Sequence, residues 1–434
     1  MENKYAIFND RRLPPLAAYS FLFIVYISTF RIFATLPFEN LHQGISTIAI
    51  ILLSLYYLVH LIININNCRI NRLDVLMWIF IFVNFVTAYR GHEVFGQPYY
   101  YGIMAQRSVL LSLSGILLIS LLNKGLITIE QIERSFLIVS ISLLFICYFF
   151  FLFVNPVHFN DNEFVVYSPI RGYRYRFQFA LVIMLLFYSL FKVSYERKKW
   201  FGFIFTLILF YLVYFLQSRT TLVVLGITLL IYFFRNFSTR QKVKKIILYG
   251  SLIFTGTVIL LSLGYTSLFE KYQLLFHNVL KAFISESTDE ASSAVRFLEY
   301  NTAYGYIIKN PLLGNGFISN QWNGGWHKIL GYFYPADIGI VGNIFVFGLI
   351  GTFLIYLPYY FSLKMSRNIH SKNIFFKSCE YMLLFFFLSM FFSAVNIRDS
   401  SSIMFLVCLI YYFRYYHFSN QYYEPINNTT SSFV

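Results

Sequence analysis

Stretches of about twenty apolar residues, closed at each end by charge, recur along almost the whole of this chain. A bilayer core about 30 Å thick is crossed by roughly 20 mostly apolar residues in a helix, so each stretch reads as a candidate span. Twelve are found, at 15–36, 43–63, 73–89, 105–122, 135–155, 175–191, 200–217, 219–234, 246–265, 337–357, 377–395 and 400–417. Segments such as Ile204–Leu216 are apolar on every face. A membrane strand would alternate apolar and polar residues over about ten positions, so strands are not expected. Spans 200–217 and 219–234 demand a very tight turn between them. Pro37, Pro98, Pro156, Pro169, Pro311, Pro335 and Pro358 fall at or beyond the expected helix ends, where a missing amide does little harm. The first run follows Lys4, Arg11 and Arg12, is too long for a signal peptide, and reads as an uncleaved first span.

Composition agrees with the runs. Only 12% of the 434 residues are charged and 58% are hydrophobic, too little charge for a water-facing surface and too much apolar side chain for disorder. The net charge of +15 is the exception, since such an excess ordinarily suggests an acidic partner. Its placement removes that reading. With a cytoplasmic N-terminus, 21 of the 34 Lys and Arg fall inside with eight acids, against 13 bases and 11 acids outside. The excess is therefore the positive-inside signal, and no nucleic-acid partner is implied. The expected fold is an all-α polytopic membrane protein of about 12 transmembrane helices with both termini cytoplasmic. Residues 1–265 hold the first nine helices, 266–336 a large periplasmic loop with short helices, 337–417 the last three helices, and 418–434 a cytoplasmic tail. Cys68, Cys147, Cys379 and Cys408 are scattered, without metal-ligand spacing, and read as small hydrophobes.

The outer side carries what chemistry the chain has. The 71-residue segment 266–336 is rich in Tyr, Phe and Trp, and loops of that length are usually functional or disordered. Thr288–Arg296 resembles a capped helix start, and the helix can run to Lys309 with Val295, Leu298, Thr302, Tyr306 and Lys309 near one face. Asn310-Pro311 stops it, and Gly314-Asn-Gly316 makes a flexible turn. A small folded cap lying partly on the membrane surface is expected. Outer bases at span ends are all Arg: Arg31, Arg90, Arg107, Arg171, Arg174, Arg176, Arg219 and Arg398. Arg grips phosphate with a planar fork where Lys offers a point charge, so the group suits a phosphate-bearing lipid. Headgroup contact or pairing to Asp399, Glu39 or Glu93 is the plainer use of any one of them. His327 follows Trp326, and Asp337 stands ten residues on. An imidazole near pH 7 can take a proton from a hydroxyl, and a carboxylate can orient it or replace it. An interfacial His and a helix N-terminal Asp are the structural alternatives. No Walker loop, GxGxxG or HExxH is present, and no acidic cluster calls for a metal. No cofactor is implied.

In order, Gln217-Ser-Arg219-Thr-Thr221, Ala294-Val-Arg296, Asn310-Pro-Leu-Leu-Gly314-Asn-Gly316-Phe317, His327 and Asp337-Ile-Gly-Ile-Val-Gly342 resemble the O-antigen polymerase and O-antigen ligase superfamily of bacterial inner-membrane glycosyltransferases. The motifs span residues 215–350; the rest matches in span count and topology. The resemblance implies glycosyl transfer on the periplasmic face in lipopolysaccharide biosynthesis. The substrates would be undecaprenyl-pyrophosphate-linked glycans held beside the lipid bilayer, with room for a chain-length regulator as protein partner. It implies pyrophosphate binding by Arg219 with Arg171, Arg174 and Arg176, catalysis by Arg296, His327 and Asp337, and sugar contacts by Trp322 and Trp326. A polymerase is expected, a ligase to the lipid A core is the alternative, and a lipid-linked oligosaccharide flippase a second one. An Arg-x10-Gly pattern of some polymerases is missing, since Ile307 stands eleven residues after Arg296. Asp337 occupies the place of an outer Glu.

Overall fold

The structure is a computed structural model that describes residues 13–34, 38–66, 71–158, 164–168, 172–177, 179–236, 291–331, 333–367, 369 and 373–417. Helices fall in each expected span except 246–265, which lies outside the described residues, as do Cys68 and the tail 418–434. In chain order they are α1 (Pro15–Thr29), α2 (Glu39–Asn66), α3 (Arg72–Phe95), α4 (Tyr99–Asn123), α5 (Ile129–Phe153), α6 (Ala180–Glu196), α7 (Lys199–Leu216), α8 (Arg219–Asn236), α9 (Ala291–Lys309), α10 (Trp326–Ile329), α11 (Gly339–Arg367), α12 (Ile374–Phe392) and α13 (Val395–Tyr412). Among the described residues eight helices are long and apolar enough to cross a membrane, the architecture of an all-α polytopic membrane protein.

Local chemistry sets the ends. Thr128 Oγ1 accepts the Gln131 N–H and Gln131 Oε1 accepts the Thr128 N–H, a capping box that opens α5. Asn373 Oδ1 accepts the Phe376 N–H at the start of α12. The tight turn between α7 and α8 is made by widening the last residues of α7, Tyr211–Leu216, into a π-helix, and by placing Gln217 in the left-handed region (φ 48°). Ser218 Oγ then receives the Thr221 N–H and opens α8.

Two expectations are corrected. A β-hairpin, Val165–Ser168 against Gly172–Tyr175, lies where no strand was expected, with Val165 opposite Tyr175 and Val166 opposite Arg174. The span then starts at Ala180 and not at 175. The hairpin is held because Val165 and Tyr175 are buried, Tyr175 meeting Phe151 edge-on and Phe151 stacking on Phe215 of α7 at 3.6 Å. Second, α11 runs through Pro358 to Arg367. Membrane helices absorb the lost bond where neighbours surround them, and Pro358 is buried. The bend in α11 comes at Gly348, whose φ of 68° and ψ of −177° break the helix.

α12 is the hub, packed by α6, α8, α11 and α13. At one end of the bundle Glu380 of α12, 2% exposed, binds Arg235 of α8 (2.7 Å), Lys377 (2.9 Å) and Ser366 of α11 (3.1 Å). A buried carboxylate with that many partners fixes three helices to one register. The other end carries α9, α10 and the turns between, called the cap below. α2 lies at the rim, with only 17% of its most apolar stretch buried and Ile48, Leu52, Leu55, Val59 and Ile62 exposed, as a lipid-facing helix requires.

Candidate functional site in the cap

The cap is anchored through the break in α11. Around Gly348 the helix loses its own hydrogen bonds, and the chain that follows α9 replaces them. The Leu349 and Ile350 N–H groups donate to the carbonyls of Pro311 and Leu312 (2.9 and 3.2 Å). In return the Phe345 and Val346 carbonyls accept from the N–H groups of Asn315 and Gly316 (2.8 and 3.0 Å). On the other side α3 holds the same loop. Arg90 donates to the Gly314 carbonyl (3.1 Å) and Asn310 Oδ1 (2.8 Å), and Gln97 bonds the Phe317 carbonyl and the Ser319 N–H. The Gly314-Asn-Gly316 segment is therefore a clamped insert and not a flexible turn. A Cβ at Gly316 (φ +86°) would lie 2.1 Å from Gly91 N, and one at Gly314 (φ +71°) 2.3 Å from Gly348 N. Only glycine allows backbone to approach backbone this closely.

Above this insert is an aromatic core. Trp326 is 1% exposed, its ring ringed by Phe95, Phe317, Phe333 and Phe345 at centroid distances of 5.6–6.1 Å. This corrects the expectation that it contacts sugar: no face of the indole is left for a ligand. Trp322 is only partly buried and keeps that possibility. His327, next to Trp326 on α10, is exposed.

α9 is turned over relative to a helix in water. Phe297, Leu298, Tyr300, Tyr304 and Ile308 are exposed, while Glu299, Ala303 and partly Tyr306 face the protein. Leu298 is 60% exposed, so it does not share the inward face of partly buried Tyr306. An outward apolar stripe of this kind suits a helix lying in the membrane interface. The inward residue that matters is Glu299, which is 1% exposed. Its Oε1 accepts the Tyr334 N–H at 3.0 Å, and its Oε2 has no hydrogen-bond partner among the described residues. Burial, and next the like charge of Asp337, push its carboxyl up from the ordinary 4.5 to about 7; the Tyr334 N–H and Arg296 pull the other way.

The structure thus gathers Arg296, Glu299 and Asp337, with Arg296 and Asp337 exposed at the surface above the buried acid. Asp337 lies in the 3-10 turn Pro335–Ile338, which is tied to the end of α12: the Ala394 N–H and Ser393 Oγ both donate to the Ala336 carbonyl at 2.9 Å. The second group of expected residues belongs to α8 and the hairpin. α8 packs along α12 and begins at this same end with Arg219, half-buried; the hairpin rests on the last turns of α7 and carries Arg174, half-buried, and Arg176, exposed. Arg171 lies outside the described residues. Arg90, by contrast, is committed to bracing the insert. The cap end of the bundle therefore carries Arg219, Arg174 and Arg176 on α8 and the hairpin, and Arg296, Asp337 and the buried Glu299 on the cap; guanidinium groups can bind an anion and a carboxyl can move a proton. Among the described residues no group of three or more His, Cys, Asp or Glu is placed to hold a metal. Sequence reasoning missed Glu299. The signal was its spacing, four residues before Ala303 and seven before Tyr306, which puts it on one face with them. No protein-family model matches the chain, and no curated protein matches it.

Proposed function

We propose that this protein is an inner-membrane glycosyltransferase with twelve spans, cytoplasmic termini and a periplasmic cap, acting as an O-antigen polymerase. It would join repeat units carried on undecaprenyl pyrophosphate. The observation that carries the reading is the cap itself: a folded unit, locked into a broken helix, that sets Arg296 and two carboxyls on the bundle end where Arg219, Arg174 and Arg176 also stand. A flippase has no evident need of such a unit. In the reaction the acceptor hydroxyl oxygen bonds to the anomeric carbon of the donor sugar. The bond from that carbon to the phosphate oxygen breaks, and its electron pair leaves with the lipid pyrophosphate. Arg219, aided by Arg174, Arg176 and Arg171, would meet the charge that grows on this leaving group. The hydroxyl proton would pass to Asp337 or His327, both exposed, with Arg296 holding the substrate's phosphate or sugar close. Trp322 supplies an apolar face for a sugar ring.

The gel pattern of lipopolysaccharide from a deletion strain tests the assignment. A core capped by a single repeat unit is the result expected of a polymerase. Core with no repeat, together with accumulated lipid-linked polymer, identifies a ligase. Single repeat units stranded on the cytoplasmic leaflet identify a flippase.

A further inference from the structure

At the end of the bundle away from the cap, α2, α3, α4 and α13 part around a cavity of about 430 Å³. Its deepest polar group is Asp74 of α3, 2% exposed, beside the apolar Ile116 and Ile119. The carboxylate is only loosely occupied. Oδ2 takes the Asn71 N–H at 3.3 Å, and Oδ1 faces His60 Nε2 at 3.4 Å. Hydrogen bonds to an ionised carboxylate are ordinarily about 2.7–2.9 Å, so both contacts are weak and lone pairs remain. The amides of Asn64 and Asn71 line the same space; Asn64 Nδ2 bonds His60 Nε2 (2.8 Å), and Asn71 Oδ1 accepts the Tyr411 hydroxyl (3.3 Å). At the mouth, Lys124 follows the end of α4 and is exposed. The cavity therefore places a negative charge deep and a positive charge at its rim. It opens beside α2, which supplies His60 and Asn64 and whose apolar outer face, with Leu55, Val59 and Ile62 exposed, lies next to it.

We propose that this cavity binds the headgroup of an aminophospholipid, with a primary ammonium on Asp74, the phosphate at Lys124 and the acyl chains along α2. Each part of that ligand meets its complement. An –NH3+ group carries three donors, for the remaining lone pairs of Asp74 and the side-chain oxygen of Asn64. A trimethylammonium carries none and would leave those lone pairs unused. A headgroup bearing only a phosphate would meet Lys124 but bring no donor to Asp74. The site is separate from the cap and independent of the proposed reaction.

The test is native mass spectrometry of the full-length purified protein, titrated separately with dioleoyl phosphatidylethanolamine, phosphatidylcholine and phosphatidylglycerol. One phosphatidylethanolamine is expected to be retained per chain, about tenfold more tightly than the other two, the worth of hydrogen bonds to one charged group. Asp74→Asn should erase that preference, and Lys124→Glu should weaken phosphatidylethanolamine and phosphatidylcholine alike. Ile119→Trp, which fills the cavity with apolar side chain and removes no polar contact, should abolish the retained lipid without lowering the thermal midpoint. Soluble phosphoethanolamine should not displace the lipid, because it lacks the chains that run along α2. Equal retention of the three lipids, retention unchanged in both Asp74→Asn and Ile119→Trp, or displacement by phosphoethanolamine would each overturn the proposal.

Discussion

Glu299 makes the cap sensitive to pH, and the sign and size can be worked out. Its carboxyl sits near 7 in the folded cap and near 4.5 when the cap is open. Between those values the closed state holds a proton that the open state has released. Closed-cap stability is thus fullest below about pH 4.5, falls as pH rises, and levels off above 7. From pH 5 to pH 8.5 the loss comes to about 2.5 kcal/mol, or about 70-fold in the opening equilibrium. The Tyr334 amide reports it directly, because it donates to Glu299 Oε1. Hydrogen exchange of a peptide containing Tyr334, corrected for the intrinsic rate, should show that loss of protection. Glu299→Gln keeps the acceptor for the amide but cannot ionise, so its protection should be flat over the same range. Asp337→Asn removes the like charge and should shrink the fall, while Arg296→Gln should enlarge it. A flat profile in the wild type, or the same fall in Glu299→Gln, refutes the reasoning.

Three further outcomes separate structure from chemistry. Gly316→Ala drives a Cβ into the backbone of α3 and should cost on the order of 3 kcal/mol, read as protease cleavage between residues 310 and 331. Arg90→Ala orphans two acceptors in the insert and should lower the amount of folded protein, whereas Arg219→Ala should leave that amount intact and, on the proposed function, slow chain growth about 100-fold. Trp326→Ala empties a buried aromatic site at about 3–5 kcal/mol, while Trp322→Ala should raise KM with little change in thermal midpoint.

The bundle was legible in the sequence because the bilayer asks for a global property, a run of apolar residues, that single substitutions do not hide. What was not legible has a common cause. Reading a helix face from periodicity takes apolar to mean buried, and that holds where the outside is water. On α9 Leu298 lies exposed and Glu299 buried, the arrangement that an apolar exterior favours. The hairpin was overlooked for a related reason. Val165-Val-Tyr-Ser168 and Gly172-Tyr-Arg-Tyr175 alternate, but they adjoin a long apolar run, and Arg174 and Arg176 have the pattern of an interfacial charge cluster. Pro358 does not end its helix because neighbouring helices absorb the missing amide.

The motif Asn310-Pro-Leu-Leu-Gly314-Asn-Gly316-Phe317 carried much of the family resemblance, yet none of its residues stands among the charged groups of the face. Its atoms are engaged with α3 and α11. Asn310 immediately follows the last residue of α9 and bonds both Arg90 and Asn315, so the insert fixes where that helix ends. The rise of the helix is about 1.5 Å per residue, which puts Arg296 and Glu299 within about 20 Å of that anchor. The second anchor is Ala336, held by Ser393 and the Ala394 N–H, and it sets Asp337. Arg296 and Asp337 are therefore positioned by separate attachments, one to α3 and α11 and one to α12, and Glu299 joins them through its bond to Tyr334. A substitution that widens the break at Gly348, with its carbonyl partners Pro311 and Leu312, should shift α9 while leaving Asp337 in place. Such a change would alter the charge on Glu299 before it unfolded anything, and the pH at which cap protection falls would move with it.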